Sequence, residues 1–461
     1  MRSFLLKNRY FFITFTVAGW ALRAYFLKHN ALVAGDSLIY GDIAKTWLQE
    51  GVFGMRELGV TVPTLVRLPG YPAFLVAMFK LFGVEHYSAV LRVQLVIDLV
   101  TCFLVAEAAR RMASERAARM AFILATLCPF TASYCATPLT ETISIFFVAG
   151  ALLAAVCALE QPQRLRCWLA AGIALGASIL LRPDGGILLG ALLLYVLWRC
   201  FKASAANRDR RRRLIAGAML LAAVSLAPLV PWTLRNWRVF HVFQPLAPRY
   251  ANTPDEFVPM GFNRWIKTWC VEFASTNDVY WKVPGEEVNF EDIPARAFDD
   301  LQQRERTGAL IERYNQSRTL PPQLDAEFGA LARERVHHSY FRYYVWLPLL
   351  RVADMWLRPR TEMLNVEIHW WDFEDHTETV IVAAFLALNA FYLLAAGWGM
   401  LGRPEVKYGG LLLLFMLLRS LTLATLENPE PRYTLECFPA VMVLAGAGLA
   451  KLGRRRSASQ L

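Results

Sequence analysis

The stretch CWLAAGIALGASILLRPDGGILLGALLLYVLWR, residues 167–199, decides what kind of protein this is. It is apolar for long enough to form two short crossings of a bilayer, at roughly 20 residues per ~30 Å of hydrocarbon. It is interrupted once, by Arg182-Pro183-Asp184-Gly185-Gly186. A charged pair beside a proline and two glycines is costly in lipid, so the interruption marks a turn near an interface or a polar cavity. Outward from this stretch, apolar blocks of similar length recur at about 9–27, 88–109, 118–136, 141–159, 214–232, 379–399, 408–426 and 434–451. With the two halves of 167–199 they predict about ten transmembrane helices, and hence an all-α polytopic membrane protein. Bulk agrees, since 56% of the 461 residues are hydrophobic and the mean hydropathy is +0.33.

Charge orients the spans. With the N-terminus cytoplasmic, the inner segments carry Arg2, Lys7 and Arg9; Arg110, Arg111, Arg116 and Arg119; Arg164 and Arg166; the run from Arg199 to Arg213; Arg403 and Lys407; and Lys451 with Arg454, Arg455 and Arg456. Every inner segment is basic, as the positive-inside rule requires, and both termini are expected in the cytoplasm. This alternation accounts for much of the formal charge of +11 without nucleic acid. The Arg210-Arg211-Arg212-Arg213 run is a topology anchor at the end of a span. Residues 1–27 have the basic start of a signal peptide, but the block is long and no small-residue cleavage pattern follows, so it is expected to remain as the first helix. The eight cysteines fall mostly inside spans and make no disulfide framework, although Cys135, Cys270 and Cys437 are all expected toward the outer side.

Three regions follow: an N-terminal transmembrane module at 1–232, an extracytoplasmic domain at 233–378, and C-terminal helices with a basic tail at 379–461. The first outer segment, about 28–87, holds Asp36, Ser37, Tyr40, Asp42, Lys45 and Trp47, then Arg67-Leu68-Pro69-Gly70-Tyr71-Pro72. Its tail from Tyr71 to Phe82 is too short to cross and predicts an interfacial helix. The large outer domain reads as mainly helical over 295–336, where Leu301, Ala309, Leu310, Ile311, Leu320, Phe328, Leu331 and Val336 recur on compatible faces.

The topology gathers ionisable residues at one face. Asp36 follows the first span, Glu141 opens the fourth, and Arg182 and Asp184 sit at the break. Arg235 follows the seventh span in Pro231-Trp232-Thr233-Leu234-Arg235-Asn236-Trp237, while Glu427, Glu430, Arg432 and Tyr433 lie between the last two. Charges at membrane depth are expensive unless paired or in a watered cavity, so as a set they read as a site. Guanidinium groups suit phosphate, because their planar fork donates two charge-assisted hydrogen bonds. Carboxylates suit an attacking hydroxyl or amine that must lose a proton, or a divalent cation that balances a leaving phosphate. Together they fit transfer of a group from a membrane-embedded phosphate ester. The chain has no Walker-type loop, no GxGxxG and no HExxH, and the adjacent pair His337-His338 does not face one point on a helix.

The Asp36 segment, Arg67-Leu68-Pro69-Gly70-Tyr71-Pro72, Thr140-Glu141, Leu181-Arg182-Pro183-Asp184-Gly185, Pro231 to Trp237 and Pro431-Arg432-Tyr433 resemble, in order and sidedness, those of the GT-C superfamily. More narrowly, they are similar to the bacterial branch related to protein O-mannosyltransferases and to the lipid A aminoarabinose transferase, over roughly 1–240 and 379–451. The resemblance implies an inverting glycosyltransferase of the bacterial inner membrane that takes its sugar from a polyprenyl-phosphate donor at the extracytoplasmic face. Its acceptor would be a glycan, lipid or protein. By that resemblance Asp36 is the leading catalytic carboxylate and Glu141 the second, with Arg67, Arg182 and Arg432 for the donor phosphate. Tyr71, Asp184, Arg235 and Tyr433 complete the candidate binding residues, and a divalent cation is a candidate cofactor with Asp36 as its ligand. The chain departs from relatives that carry Asp-Glu at Asp36-Ser37, and 241–378 matches nothing that assigns an acceptor. A transporter or flippase would also collect charges in a membrane, but it would show inverted repeats and a site near the midplane. An inactive scaffold subunit would have no need of Asp36.

Overall fold

Two proline breaks show how the sequence shapes the membrane part. In the computed structural model, which describes residues 2–202, 208–371, 376–401 and 406–458, the Ser114 side chain accepts from the Ala117 N–H at 3.1 Å and starts a helix at Glu115. That helix stops at Thr126, and Pro129, which has no N–H to donate, opens the next turn at an angle of 48°. The same logic acts at the motif in the middle of 167–199. Pro183 disfavours helical backbone at the residue before it, so Arg182 is extended and a short 3-10 turn, Pro183–Gly185, separates two helices.

In chain order the main elements of the first compact unit are α1 (Arg9–His29), α2 (Asp36–Glu50), β1 (Gly54–Glu57), β2 (Val60–Pro63), α3 (Gly70–Phe82), α4 (Tyr87–Met112), α5 (Glu115–Thr126), α6 (Thr140–Glu160), α7 (Leu165–Leu181), α8 (Gly186–Lys202), α9 (Arg208–Leu226) and α10 (Leu229–Phe240). The unit comprises residues 1–256, 391–418 and 435–461. The helices pack as a bundle whose buried residues are largely Ala, Leu, Val and Phe. Within it Arg23 of α1 is fully buried and donates to Asp98 of α4 at 2.7 Å and to the Thr126 carbonyl at 2.8 Å, which satisfies a charge at membrane depth. An antiparallel β1–β2 hairpin joins the otherwise helical fold in the first outer segment.

The second unit comprises residues 257–390 and 419–434. Its main helices are α11 (Met260–Lys267), α12 (Leu301–Ser317), α13 (Pro322–His338) and α14 (Leu347–Leu357). Phe262, Trp265, Trp269, Tyr314 and Phe328 form the middle of its core. Asp325 on α13 accepts from the Gly261 and Phe262 N–H groups at 3.0 and 2.8 Å, capping the start of α11. The two units share α15 (His376–Leu401), and the chain closes with α16 (Gly409–Leu423) and α17 (Phe438–Ala458).

The protein is a helical, multi-pass membrane protein with a helical domain outside the spans. Among the described residues seven helices are long and apolar enough to cross, or eight if the bent pair Glu115–Thr126 and Pro129–Ala136 is one span. This is fewer than the ten expected, because α7 has 17 residues and α16 only 15. The expected helix after Tyr71 is present as α3. All eight cysteines are free. Arg403 and residues 203–207 of the basic inner segments lie outside the described residues, as do the side chains of Arg2, Arg454, Arg455 and Arg456.

Candidate active site

The site is built where the ends of several helices of the first unit meet. Glycine makes this approach close: a Cβ on Gly70 would stand 2.6 Å from the Leu180 carbonyl, so Arg67-Leu68-Pro69-Gly70-Tyr71 can lie against the end of α7 only with glycine there. Tyr71 is fully buried among Ala44, Leu75, Val90, Ile143 and Leu181, and its hydroxyl donates to Gln94 at 2.7 Å. Gln94 in turn donates to the Thr137 carbonyl at 2.9 Å. Tyr71 therefore anchors the loop.

Two ion-pair assemblies result. In the first, Asp36 at the start of α2 accepts from Arg67 at 2.7 Å, and Arg67 also donates to its neighbour's carbonyl on Val66 at 3.1 Å. In the second, Arg182 donates to Glu141 at 2.8 Å and to Asp184 at 3.3 Å, and lies 3.3 Å from Glu436. Glu436 also accepts from Ser144 at 2.6 Å. Glu141 and Glu436 are each 2% exposed, which is tolerable for a carboxylate only beside a cation.

Tyr40 packs beside the first assembly. The Arg67 guanidinium lies 5.8 Å from its ring centre and the Tyr71 ring meets it edge-on at 5.1 Å. Burial pushes the Tyr40 hydroxyl up to about 12; Arg67 and Arg182 oppose that rise, while Asp36 and Glu141 add to it. The charges of Asp36, Arg67, Glu141 and Arg182 are thus all felt at this one hydroxyl.

Arg235 is placed apart from this group. It donates to the Thr64 and Phe53 carbonyls at 2.6 and 2.7 Å, and its guanidinium lies within 5.3 Å of the Phe53, Trp232 and Phe240 ring centres. Its donors hold the backbone around the β1–β2 hairpin. Arg432 and Tyr433 belong to the second unit, where Arg432 pairs with Glu430 at 2.5 Å and the Tyr433 hydroxyl also donates to Glu430. Glu427 pairs there with Lys267 at 3.6 Å. Glu436 and Tyr40 are the site residues that sequence reasoning passed over. Glu436 sits where the last apolar block begins, and its signal was only its nearness to Pro431-Arg432-Tyr433.

As a cation ligand, Asp36 has a guanidinium beside it, and among the described residues no three His, Cys, Asp or Glu groups could hold a metal ion.

Residues 63–232 match the family model of dolichyl-phosphate-mannose-protein mannosyltransferase. That interval holds Arg67, Tyr71, Glu141, Arg182 and Asp184. No curated protein sequence matches. Among solved structures, the fold is similar to the Archaeoglobus fulgidus oligosaccharyltransferase tethered with an acceptor peptide, at 13% identity and a TM-score of 0.54 over 98% of this chain and 50% of that one. It is also similar to AglB from the same organism, in complex with an inhibitory peptide and a dolichol-phosphate, at 14% identity and a TM-score of 0.51 over 98% and 52%. ArnT from Cupriavidus metallidurans bound to undecaprenyl phosphate aligns at 16% identity and a TM-score of 0.42 over 97% and 79%. The chain spans about half the length of the oligosaccharyltransferase chains it matches. The likeness covers nearly the whole chain, which shares the fold of these oligosaccharyltransferase chains.

Proposed function

We propose that this chain is an inverting glycosyltransferase of the bacterial cytoplasmic membrane, moving a sugar from a polyprenyl-phosphate donor to an extracytoplasmic glycan, lipid or protein acceptor. The observation that carries the proposal is the pairing of Asp36 with Arg67 and of Arg182 with the buried Glu141 at helix ends of one unit. The family description, which names a dolichyl-phosphate sugar, and the dolichol-phosphate bound by AglB support the donor class.

In this reading the donor phosphate engages Arg67 and Arg182 through charge-assisted hydrogen bonds. As Arg67 turns to the phosphate, the Asp36 carboxylate becomes available to the acceptor. The acceptor oxygen or nitrogen bonds to the anomeric carbon from the face opposite the phosphate, and its proton passes to Asp36. The bond between that carbon and the phosphate oxygen breaks, and its electron pair leaves with the polyprenyl phosphate. Glu141, buried against Arg182, orients that guanidinium. Arg432 and Tyr433 are further candidates for binding substrate, and the domain at 233–378 would select the acceptor. Counting α7, α16 and the bent pair as crossings gives ten spans with both termini cytoplasmic.

The test is turnover per folded molecule for Asp36→Asn in reconstituted protein, supplied with a panel of polyprenyl-phosphate sugars and acceptors. Removing a general base lowers rate by roughly 10²–10⁴, about 3–5 kcal/mol. Asp42→Asn is the comparison, because Asp42 binds the Arg56 N–H at 2.7 Å and serves the hairpin. Near-native turnover in the Asp36 variant removes it from the mechanism. Activity lost to a chelator and restored by a divalent cation would instead assign it as a cation ligand.

A further inference from the structure

The segment from Tyr340 to Leu357 is inside out for a helix in water. Tyr340, Phe341, Tyr344, Trp346, Leu349 and Leu357 are each 51–66% exposed. The charged residues of the same stretch turn inward. Arg342 donates to Asp299 at 2.6 Å, Arg351 is fully buried and donates to the Cys270 carbonyl at 2.8 Å, and Asp354 lies 3.7 Å from the buried Arg358. Leu347, Arg351 and Met355, spaced by four, form the buried side of α14. A helix facing water presents the reverse pattern, and a contiguous exposed apolar face needs an occupant.

The far end of α14 identifies that occupant. The Trp356 carbonyl accepts from Asn389 at 2.7 Å, the Arg358 carbonyl accepts from the same amide at 3.0 Å, and the Trp356 indole donates to Ser420 at 2.9 Å. Asn389 is buried in the middle of the membrane span His376–Leu401, about 20 Å along the axis from its first residue at 1.5 Å per residue. Ser420 belongs to the apolar helix Gly409–Leu423. The end of α14 is therefore pinned to spanning helices at the level of the hydrocarbon, where the surrounding medium is lipid.

We infer that Tyr340–Leu357 is embedded in the outer leaflet, with bilayer lipid covering its exposed face. Tyr and Trp are the side chains that settle at headgroup level, with an apolar ring body and a polar tip, and the earlier part of the segment supplies Tyr340, Tyr344 and Trp346. Leu349 and Leu357, nearer the pinned end, lie among acyl chains. The stretch is too short to cross alone, so it enters and is held from one side. Through Arg342 and Arg351 it ties the core of the outer domain to the membrane surface. The inference rests on the chain being a multi-pass membrane protein and is independent of the proposed reaction.

Full-length Tyr344→Cys and Leu349→Cys variants, spin-labelled and reconstituted in vesicles of phosphatidylethanolamine and phosphatidylglycerol, test it by collision with oxygen and with a water-soluble nickel chelate. Cys157 and Cys167, the native cysteines that are not buried, are replaced by serine throughout. Leu301→Cys, at a position 77% exposed on the same domain, reports the water-facing case. The expected result is oxygen exceeding nickel at 344 and 349, and the reverse at 301. Nickel reaching 349 as it reaches 301 would overturn the inference. So would exclusion of both reagents, which would mean that a protein surface or a second copy covers the face. Either labelled site decides alone, so one variant that fails to fold leaves the other.

Discussion

Arg182 has more carboxylate around it than one guanidinium neutralises: Glu141, Asp184 and Glu436 all lie within 3.3 Å of it. Such a shell fixes the direction of its planar fork, and a fork aimed in advance is what bidentate recognition of a phosphate needs. Replacing Arg182 itself would strand two buried carboxylates and confound stability with activity. Glu436→Gln is the cleaner change, since it keeps the shape and the hydrogen bond from Ser144 while leaving two carboxylates on Arg182. If Glu436 acts by positioning, kcat/KM for the polyprenyl-phosphate donor should fall about 10–100-fold, as small misplacements of a binding group do. The melting temperature should stay near that of the parent. Parent-like kcat/KM in the folded variant would leave Glu436 as packing. At this scale the sequence was legible where a charge interrupts an apolar block, as at Arg182, and silent where one begins it, as at Glu436. Arg235, a candidate binding residue by its motif, shows that a guanidinium can also gather backbone carbonyls and aromatic faces.

The α12–α13 pair carries the clearest prediction among the elements. Apolar spacing put Leu301 on its core face, but Leu301 is 77% exposed, whereas Gln303 and Thr307 are buried. The reason is a polar core: Arg335, fully buried on α13, donates to Gln303 at 2.7 Å and to Asp299 at 3.0 Å, and Arg342 also donates to Asp299. Hydrophobic periodicity cannot reveal a face that a buried arginine has made polar. Burial alone would raise the Asp299 carboxyl, but the Arg342 hydrogen bonds and the charges of Arg335 and Arg342 hold it below the usual carboxylate range. A depressed folded pKa contributes stability that is present in full above the unfolded value of about 3.9 and is lost as pH falls through the folded one. Melting of the protein followed against pH should therefore show a loss at the acid end that Asp299→Asn removes. Asp299→Ala should cost about 3–5 kcal/mol at neutral pH, because it leaves Arg335 buried without its partner. An identical acid limb in Asp299→Asn would remove Asp299 from that response. The spans, by contrast, were legible as apolar blocks because length and composition alone report them. The count of long helices is lower where Pro183 follows α7 and where α16 has 15 residues, because hydropathy averages over local backbone.

For the whole molecule the question is which side of the membrane holds the site, and contacts between helix ends group the segments whose charges bear on it. At one end of the first unit Arg111 of α4 pairs with Glu160 of α6 at 2.7 Å, and the Lys407 N–H donates to the Met112 carbonyl at 2.8 Å. At the other, the Leu32 N–H donates to the Ala136 carbonyl at 3.1 Å, and Arg182 joins Glu141 to Glu436. The first set falls in segments that carry Arg110, Arg111, Arg164, Arg166 and Lys407, and in the second set Arg182 is matched by the carboxylates Glu141 and Glu436. Short segments with clustered arginines at one set of ends are what an alternating chain produces when basic loops stay in the cytoplasm. In the proposed reaction a lipid-linked donor and an extracytoplasmic acceptor would meet at the second set. Reporters placed within 250–370 should accordingly be extracytoplasmic, and reporters at 203–209 and after 456 cytoplasmic. Cysteine labelling at position 300 with an impermeant reagent, on intact cells and on inverted vesicles, decides between the two orientations. Labelling from outside keeps Asp36 and Arg182 where a polyprenyl-phosphate sugar could be used for export. Labelling only from the cytoplasmic face would put the same carboxylates and guanidiniums among nucleotide sugars, and the donor assignment would fail along with the topology.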